Sequence, residues 1–298
     1  MKVLSLGSLN IDKVYSVDHI INPKETIEST SYNNFCGGKG LNQSIALARA
    51  GANVSHAGMI GEDGAMLADA LRESGVGMEL LRTVKGPSGH AVIQIDPHAQ
   101  NCIIIFGGSN RCITPAYIDE VMEGFEKGDV LLLQNEISGN GYAIEKGHEK
   151  GMTVVLNPSP YDSRLDECDY SKVDIFMVNE VEGRLMAGCD SEDPAVIREC
   201  LKKAYPNAAF VLTLGEAGSC YFKGSEEYFQ PIYPVKAVDT TAAGDTFCGY
   251  FLSSMAQGLS IPECLRHASA ASAISVSRSG ASPSIPVREE VEAFLKEH

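Results

Sequence analysis

The sequence has no tryptophan, no run of 18 apolar residues, and fewer basic than acidic side chains. Without such a run nothing reads as a membrane-spanning helix, which needs about 20 consecutive apolar residues. Residues 1–9 are too short for a secretory h-region and lead straight into Asn10 and Asp12, so a cytoplasmic protein without a signal peptide is expected. Against 39 Asp plus Glu there are only 24 Lys plus Arg, a net charge of −15. Nucleic acid or an anionic membrane would be repelled at long range, so neither is expected as a partner. An anionic substrate would have to be held by local geometry. The nine cysteines include no C-x-x-C pair, and the histidines no H-E-x-x-H. That pattern reads as reduced thiols, with neither a disulfide framework nor a zinc site. Two nucleotide signatures are missing as well. Lys39 in G-G-K-G is followed by Gly40 where a Walker A loop needs Ser or Thr, and no G-x-G-x-x-G follows the first strand.

What remains is an ordinary globular composition, 44% apolar and 21% charged over 298 residues. Short apolar runs at 3–6, 54–60, 130–133, 154–156, 175–178 and 210–214 read as buried strands. Helical spacing at 38–50, after Asp63, and at 142–150, 180–187 and 194–204 alternates with them. Three more helices close the chain, at 244–256, 261–275 and 286–296. Such alternation predicts a parallel sheet covered on both faces. Residues 13–18, 26–33, 89–96 and 101–106 instead read as half-exposed strands, the last two as a hairpin turning at 97–100. They predict a small β layer inserted at about 13–34 and 89–106 into one domain spanning 1–298.

Two glycine-rich stretches carry the chemistry. In N-F-C-G-G-K-G-L-N-Q, residues 34–43, successive glycines let backbone amides approach a ligand, and Lys39 and Asn42 add polar heads. In V-D-T-T-A-A-G-D-T-F, residues 238–247, Ala242, Ala243 and Gly244 precede an apolar helix and offer an open anion-binding nest. Asp245 follows at once. Phosphoryl transfer needs this combination: dipoles around the transferred oxygens and a base beside the attacking hydroxyl.

Together these stretches resemble the paired signatures of the ribokinase (PfkB) family of sugar kinases. G-S-L-N-I-D (7–12), L-L-L-Q-N-E (131–136), L-N-P-S-P (156–160), V-N-E-V-E (178–182), L-T-L-G-E-A-G (212–218) and S-G-A-S-P-S-I-P (279–286) extend the resemblance in the family's order. It implies a Rossmann-like three-layer αβα sandwich with a small β-sheet lid, and a homodimer through that lid. It also implies that Asn10, Asp12, Gly38, Lys39, Asn42 and Glu136 bind sugar, and that Asp245 is the base that contacts it. Ala242, Ala243 and Gly244 form the anion hole. Asn179, Thr213, Gly215, Glu216, Gly218, Gly244 and Ser269 hold ATP, and Glu182 orients Mg²⁺ through water. Asp239, Thr241, Ser275, Arg278, Gly280 and Ser284 hold a monovalent cation, K⁺ in ribokinases.

The implied reaction is ATP-dependent phosphorylation of a primary hydroxyl, with D-ribose at O5 as the first choice of acceptor. A ketohexose, deoxyribose or a nucleoside is the alternative, and a non-catalytic sugar or nucleotide sensor a further one. The aromatic lid residues Tyr15, Tyr32, Phe35 and Phe106 keep the nucleoside open. Three positions depart from the family's pattern. Tyr250 stands where Ala or Gly is usual, which predicts a repacked helix. N-P-K-E-T at 22–26 replaces P-x-x-G-E-T. Arg111 replaces a small residue, there to reach an anionic group on a substrate or to pair with a surface acid.

Overall fold

The computed structural model describes residues 1–98 and 100–298. The N-terminal part runs β1 (Val3–Leu6), β2 (Asn10–Ser16), β3 (Ser31–Gly37), α1 (Lys39–Arg49), β4 (Val54–Ile60) and α2 (Ala65–Glu73). It continues through β5 (Leu81–Thr83), β6 (Gly89–Ile95), β7 (Asn101–Phe106), α3 (Pro115–Met122), β8 (Val130–Gln134) and α4 (Asn140–Glu149). Then come β9 (Thr153–Asn157), β10 (Ile175–Asn179), α5 (Glu180–Ala187), α6 (Pro194–Ala204), β11 (Ala209–Thr213), β12 (Ser219–Lys223) and β13 (Glu226–Gln230). The chain ends on α7 (Ala243–Ala256), α8 (Ile261–Val276) and α9 (Arg288–Glu297).

The large sheet has the order β13-β12-β11-β10-β9-β8-β1-β4-β5, parallel from β11 to β5, with β12 and β13 antiparallel at the edge. Apart from the edge strands β5 and β13, its strands are largely buried on both faces, so alternate residues feed two cores. Val130 and Leu132 pack with residues of α1, α7 and α8, whereas Leu131 and Leu133 pack with α3, α4 and α6. This is the three-layer sandwich the apolar runs predict. β1 lies between β4 and β8, so the chain winds outward on both sides of it. The carboxyl ends of strands flanking such a switch point form a natural crevice. Among the described residues, no helix is long and apolar enough to cross a membrane.

The second sheet, β3-β2-β6-β7, is the inserted layer. Its β3 covers Ser31–Gly37 where alternation predicts 26–33. Pairing decides the register: Gly37 stands opposite Asn10, and Tyr32 opposite Tyr15, their rings 4.8 Å apart. Strands β6 and β7 pair antiparallel as predicted; of the turn read at 97–100, Ala99 lies outside the described residues. Asp63 does not cap α2. Its Oδ1 accepts Ser88 N–H at 2.7 Å, and Gly64 takes the cap position. The short strands β5 and β13 have no counterpart among the predicted elements. Lys24, where the family pattern has glycine, sits at φ 71°. That left-handed backbone costs a non-glycine residue about 1–2 kcal/mol. Tyr250 is buried, and its hydroxyl donates to Pro286 O at 2.8 Å.

Candidate active site

The site grows from the carboxyl end of β1. Gly7 and Ser8 follow that strand, and the first turn of α1 rests directly on them. Leu41 N–H donates to Ser8 O at 2.9 Å. A Cβ at Gly40 would lie 2.7 Å from Gly7 Cα, so only glycine allows helix and loop to come this close. Lys39 N–H donates to Glu136 Oε2 at 3.0 Å, and Ser8 Oγ donates to the same oxygen. Glu136, just past β8, is thereby fixed at the N-terminus of α1, where the helix dipole favours a carboxylate.

Asn10 is buried, and its Oδ1 accepts Asn110 Nδ2 at 2.8 Å. Asp12 is half-buried beside Gly37, where a Cβ would press on its carboxylate. Burial, and then the charge of Glu136, pushes Asp12 up to about 7. Asn10, Glu136, Ile105, Gly107, Arg111 and Arg164 line a cavity of about 170 Å³ under the small sheet. Arg111 pairs with no acid among the described residues; its Nη1 donates to Ile137 O at 3.0 Å.

A second cavity, of about 210 Å³, is lined by Lys39, Asn179, Glu182, Thr213, Ala242, Gly244 and Asp245, among others. Asp245 is 7% exposed. Its Oδ2 accepts Asn42 Nδ2 at 3.0 Å and its Oδ1 accepts Gln43 Nε2 at 2.9 Å. Gln43 is itself held, because its Oε1 accepts Gln134 Nε2 from β8 at 2.8 Å. Both carboxylate oxygens are therefore aimed by α1 and the sheet together. Sequence reasoning assigned Gln43 nothing. The one available signal was its place beside Asn42 in the first glycine stretch. Asn42 Oδ1 is buried with no hydrogen-bond partner among the described residues, so it can accept a hydroxyl from a ligand.

Ala242 opens α7 at φ 60°, a left-handed conformation that turns successive N–H groups to one side. Ala243 N–H is used by the turn itself, donating to Thr240 O at 3.2 Å. Gly244 and Asp245 keep theirs unpaired among the described residues, beside the Ala243 N–H read as part of the nest. Lys39, grouped with the sugar residues from sequence, lines the cavity that holds Asp245 and the nest. Burial alone would lower its ammonium, but the carboxylates of Asp245, Glu136 and Glu182 outweigh that and hold it above the ordinary lysine value. A lysine kept charged beside an anion nest suits phosphate oxygens.

Asn179 and Glu182 form a capping box at the start of α5: Glu182 N–H donates to Asn179 Oδ1 at 2.9 Å, and Asn179 N–H to Glu182 Oε2 at 3.1 Å. Gly215 and Glu216 form an exposed turn just after Thr213, closed by Gly218. Ser269 is buried on α8, and its hydroxyl donates to Pro231 O at 3.3 Å, away from both cavities' linings. The six residues read as a monovalent-cation site meet at one corner. Asp239 accepts Thr241 N–H and Gly280 N–H, each at 2.9 Å, and the Ser275 and Ser284 hydroxyls are 2.8 Å apart. The Arg278 side chain turns outward to Glu290, leaving only its backbone for such a role.

Comparison with known proteins places this geometry. The family model described as "pfkB family carbohydrate kinase" matches residues 1–288. A ribokinase of Haemophilus influenzae is 34% identical, covering 98% of this chain and 97% of its own. A ribokinase of Bacillus subtilis is 33% identical, with coverage of 97% and 98%. The solved structure of Arabidopsis thaliana ribokinase complexed with ribose and ATP superposes with a TM-score of 0.89 at 32% identity, covering 99% of this chain and 98% of that one. Chain-long matches in sequence and in fold agree with the two cavities and the carboxylate held at the head of α7: this chain belongs to the pfkB family of carbohydrate kinases.

Proposed function

We propose that this protein transfers the γ-phosphoryl group of ATP to the primary hydroxyl of D-ribose, giving D-ribose 5-phosphate. The observation that carries this reading is Asp245, whose two oxygens are locked by Asn42 and Gln43 beside the unpaired N–H groups of Gly244 and Asp245. Asn10, Asp12 and Glu136 hold the sugar by its hydroxyls, each side chain able to accept from vicinal oxygens. Asp245 receives the proton of the attacking hydroxyl. The head of α7 and the Lys39 ammonium receive the charge on the transferred phosphoryl.

Asn179 and Thr213 border the nucleotide, with the 215–218 turn at its rim. Glu182 suits Mg²⁺ held through water, since that ion keeps most of its waters and needs few carboxylates. Bound Mg²⁺ would supply charge neutralisation to the ATP phosphates. The oxygen-rich corner around Asp239, Ser275 and Ser284 fits K⁺, which takes carbonyls and hydroxyls. The small sheet acts as the lid. Its edge strand β7 exposes Ile104 at 63% and Phe106 at 51%, an apolar face suited to a second copy of the chain.

A coupled ADP-release assay over ribose, 2-deoxyribose, fructose and nucleosides, run in K⁺ and in Na⁺, tests the reading. Ribose in K⁺ should give the highest kcat/KM. ADP release that no sugar stimulates would remove the proposal.

The elevated Asp12 carboxyl gives a pH dependence. Its ionised form is the better acceptor for a sugar hydroxyl, so kcat/KM for the sugar should rise with pH through about 7. Stability runs the other way. The folded state keeps a proton that the unfolded chain releases near an ordinary carboxylate pKa of about 4. This group's contribution therefore falls as pH rises from there to about 7, then levels. Asp12→Asn should remove that limb from the kcat/KM profile and flatten the pH dependence of Tm. Profiles unchanged by the substitution would contradict the assignment.

A further inference from the structure

We propose that Cys189 and Cys200 form a thiol–disulfide exchange site, which reacts with a small-molecule disulfide and closes into an intramolecular disulfide between the end of α5 and the middle of α6. The two thiols stand eleven residues apart, a spacing that carries no recognisable motif, yet Cys200 Sγ lies 3.2 Å from Cys189 Sγ.

The backbone brings them together by ordinary helix-end chemistry. Gly188 ends α5 in the left-handed conformation at φ 57°, and Cys189 N–H turns back to Arg184 O at 3.0 Å. Asp193 then caps α6, accepting Ala195 N–H at 2.8 Å. The helices are already in close contact, since a Cβ on Gly183 would lie 3.3 Å from Leu201 Cδ1 and 3.4 Å from Ile197 Cγ2. Closing the bond therefore asks for little movement of either helix.

Both sulfurs are partly exposed, whereas Cys220, Cys248 and Cys264 are buried and Cys168 is pushed up to about 11 by burial. The exposed Cys102 and Cys112 make no thiol–thiol hydrogen bond among the described residues. Cys200 Sγ donates to Cys189 Sγ, and that bond holds the Cys200 proton and raises its thiol above the ordinary value. Exchange then begins at Cys189. Cys189 thiolate attacks one sulfur of the incoming disulfide and expels the other half as a thiolate. Cys200 then loses its proton, attacks Cys189 Sγ and expels the second half. The protein loses two hydrogens, and one disulfide reagent becomes two thiols.

The consequence reaches the site by position. Asn179 caps α5 and Glu182 lies in its first turn, at the end that borders the larger cavity, so the crosslink tethers the opposite end of that helix. The chemistry itself stands apart from the identity of the sugar.

The test uses the intact reduced protein, oxidised glutathione as probe, an acid quench and alkylation. The oxidised chain should be about 2 Da lighter before alkylation, the mass of two hydrogens. A non-reducing peptide map should join Cys189 to Cys200, and dithiothreitol should restore all nine reactive thiols. Cys200→Ser should instead retain glutathione on Cys189. A crosslink mapped elsewhere, glutathione held on both cysteines of the wild type, or nine thiols still reactive after oxidation would overturn the proposal. The wild-type map decides even if the variant does not fold.

Discussion

Asp245→Asn is expected to lower kcat by roughly 10²–10⁴-fold, the range a positioned general base supplies, while KM for the sugar stays within a few-fold. The side chain keeps its shape and loses only its ability to take a proton. Its surroundings make the test unusually clear. Both native oxygens are acceptors, one from Asn42 and one from Gln43. An asparagine turns one of these into a donor, so one amide must rotate away. A small loss of Tm is therefore expected alongside the kinetic loss, and the two are separable by measuring the melt at the assay pH. If kcat stays within a factor of a few, Asp245 is not the base.

Gly249→Val should be strongly damaging although the residue lines neither cavity. α1 and α7 cross at this residue, and a Cβ there would overlap the Ala46 methyl and lie 2.8 Å from Leu47 N. Neither neighbour is the end of a flexible side chain, so the helices must separate. Overpacking of this kind costs about 1–3 kcal/mol, and backbone contact puts this case at the upper end. For a chain of this size that corresponds to a Tm lower by roughly 5 °C. Activity should fall as well, because α1 carries Asn42 and Gln43 and α7 carries the carboxylate they aim. A thermal melt and kcat at a permissive temperature check both parts. An unchanged Tm would show that the contact is not as close as described.

The architecture was legible where burial alone decides it. Continuous apolar strands such as Val130–Gln134 leave few choices besides a covered parallel sheet, and the helices at the C-terminus lie within two residues of their predicted bounds. The motif residues were legible as a set, and the fold brings Asp245, Lys39, Asn179, Glu182 and Thr213 to one cavity. What could not be read depends on partners far away in the chain. Gln43 matters because Gln134, 91 residues on, turns its amide toward Asp245. The turn bond from Ala243 N–H to Thr240 O follows from the left-handed backbone at Ala242, which no motif spells out. β3 lies five residues later than alternation suggests at its start, because cross-strand pairing fixes the register of a strand whose side chains are mostly exposed. Arg111 was a recognisable oddity, but only the structure shows it lining the cavity with Asn10 and Glu136, without an acidic partner among the described residues.

The position of phosphate on the product tests the whole account most directly. Protein incubated with ATP, Mg²⁺, K⁺ and ¹³C-labelled ribose should yield a single phosphorylated pentose whose phosphorus couples to C5, formed one for one with ADP. Phosphate attached to any other carbon, or ADP formed no faster with ribose than without it, would contradict it.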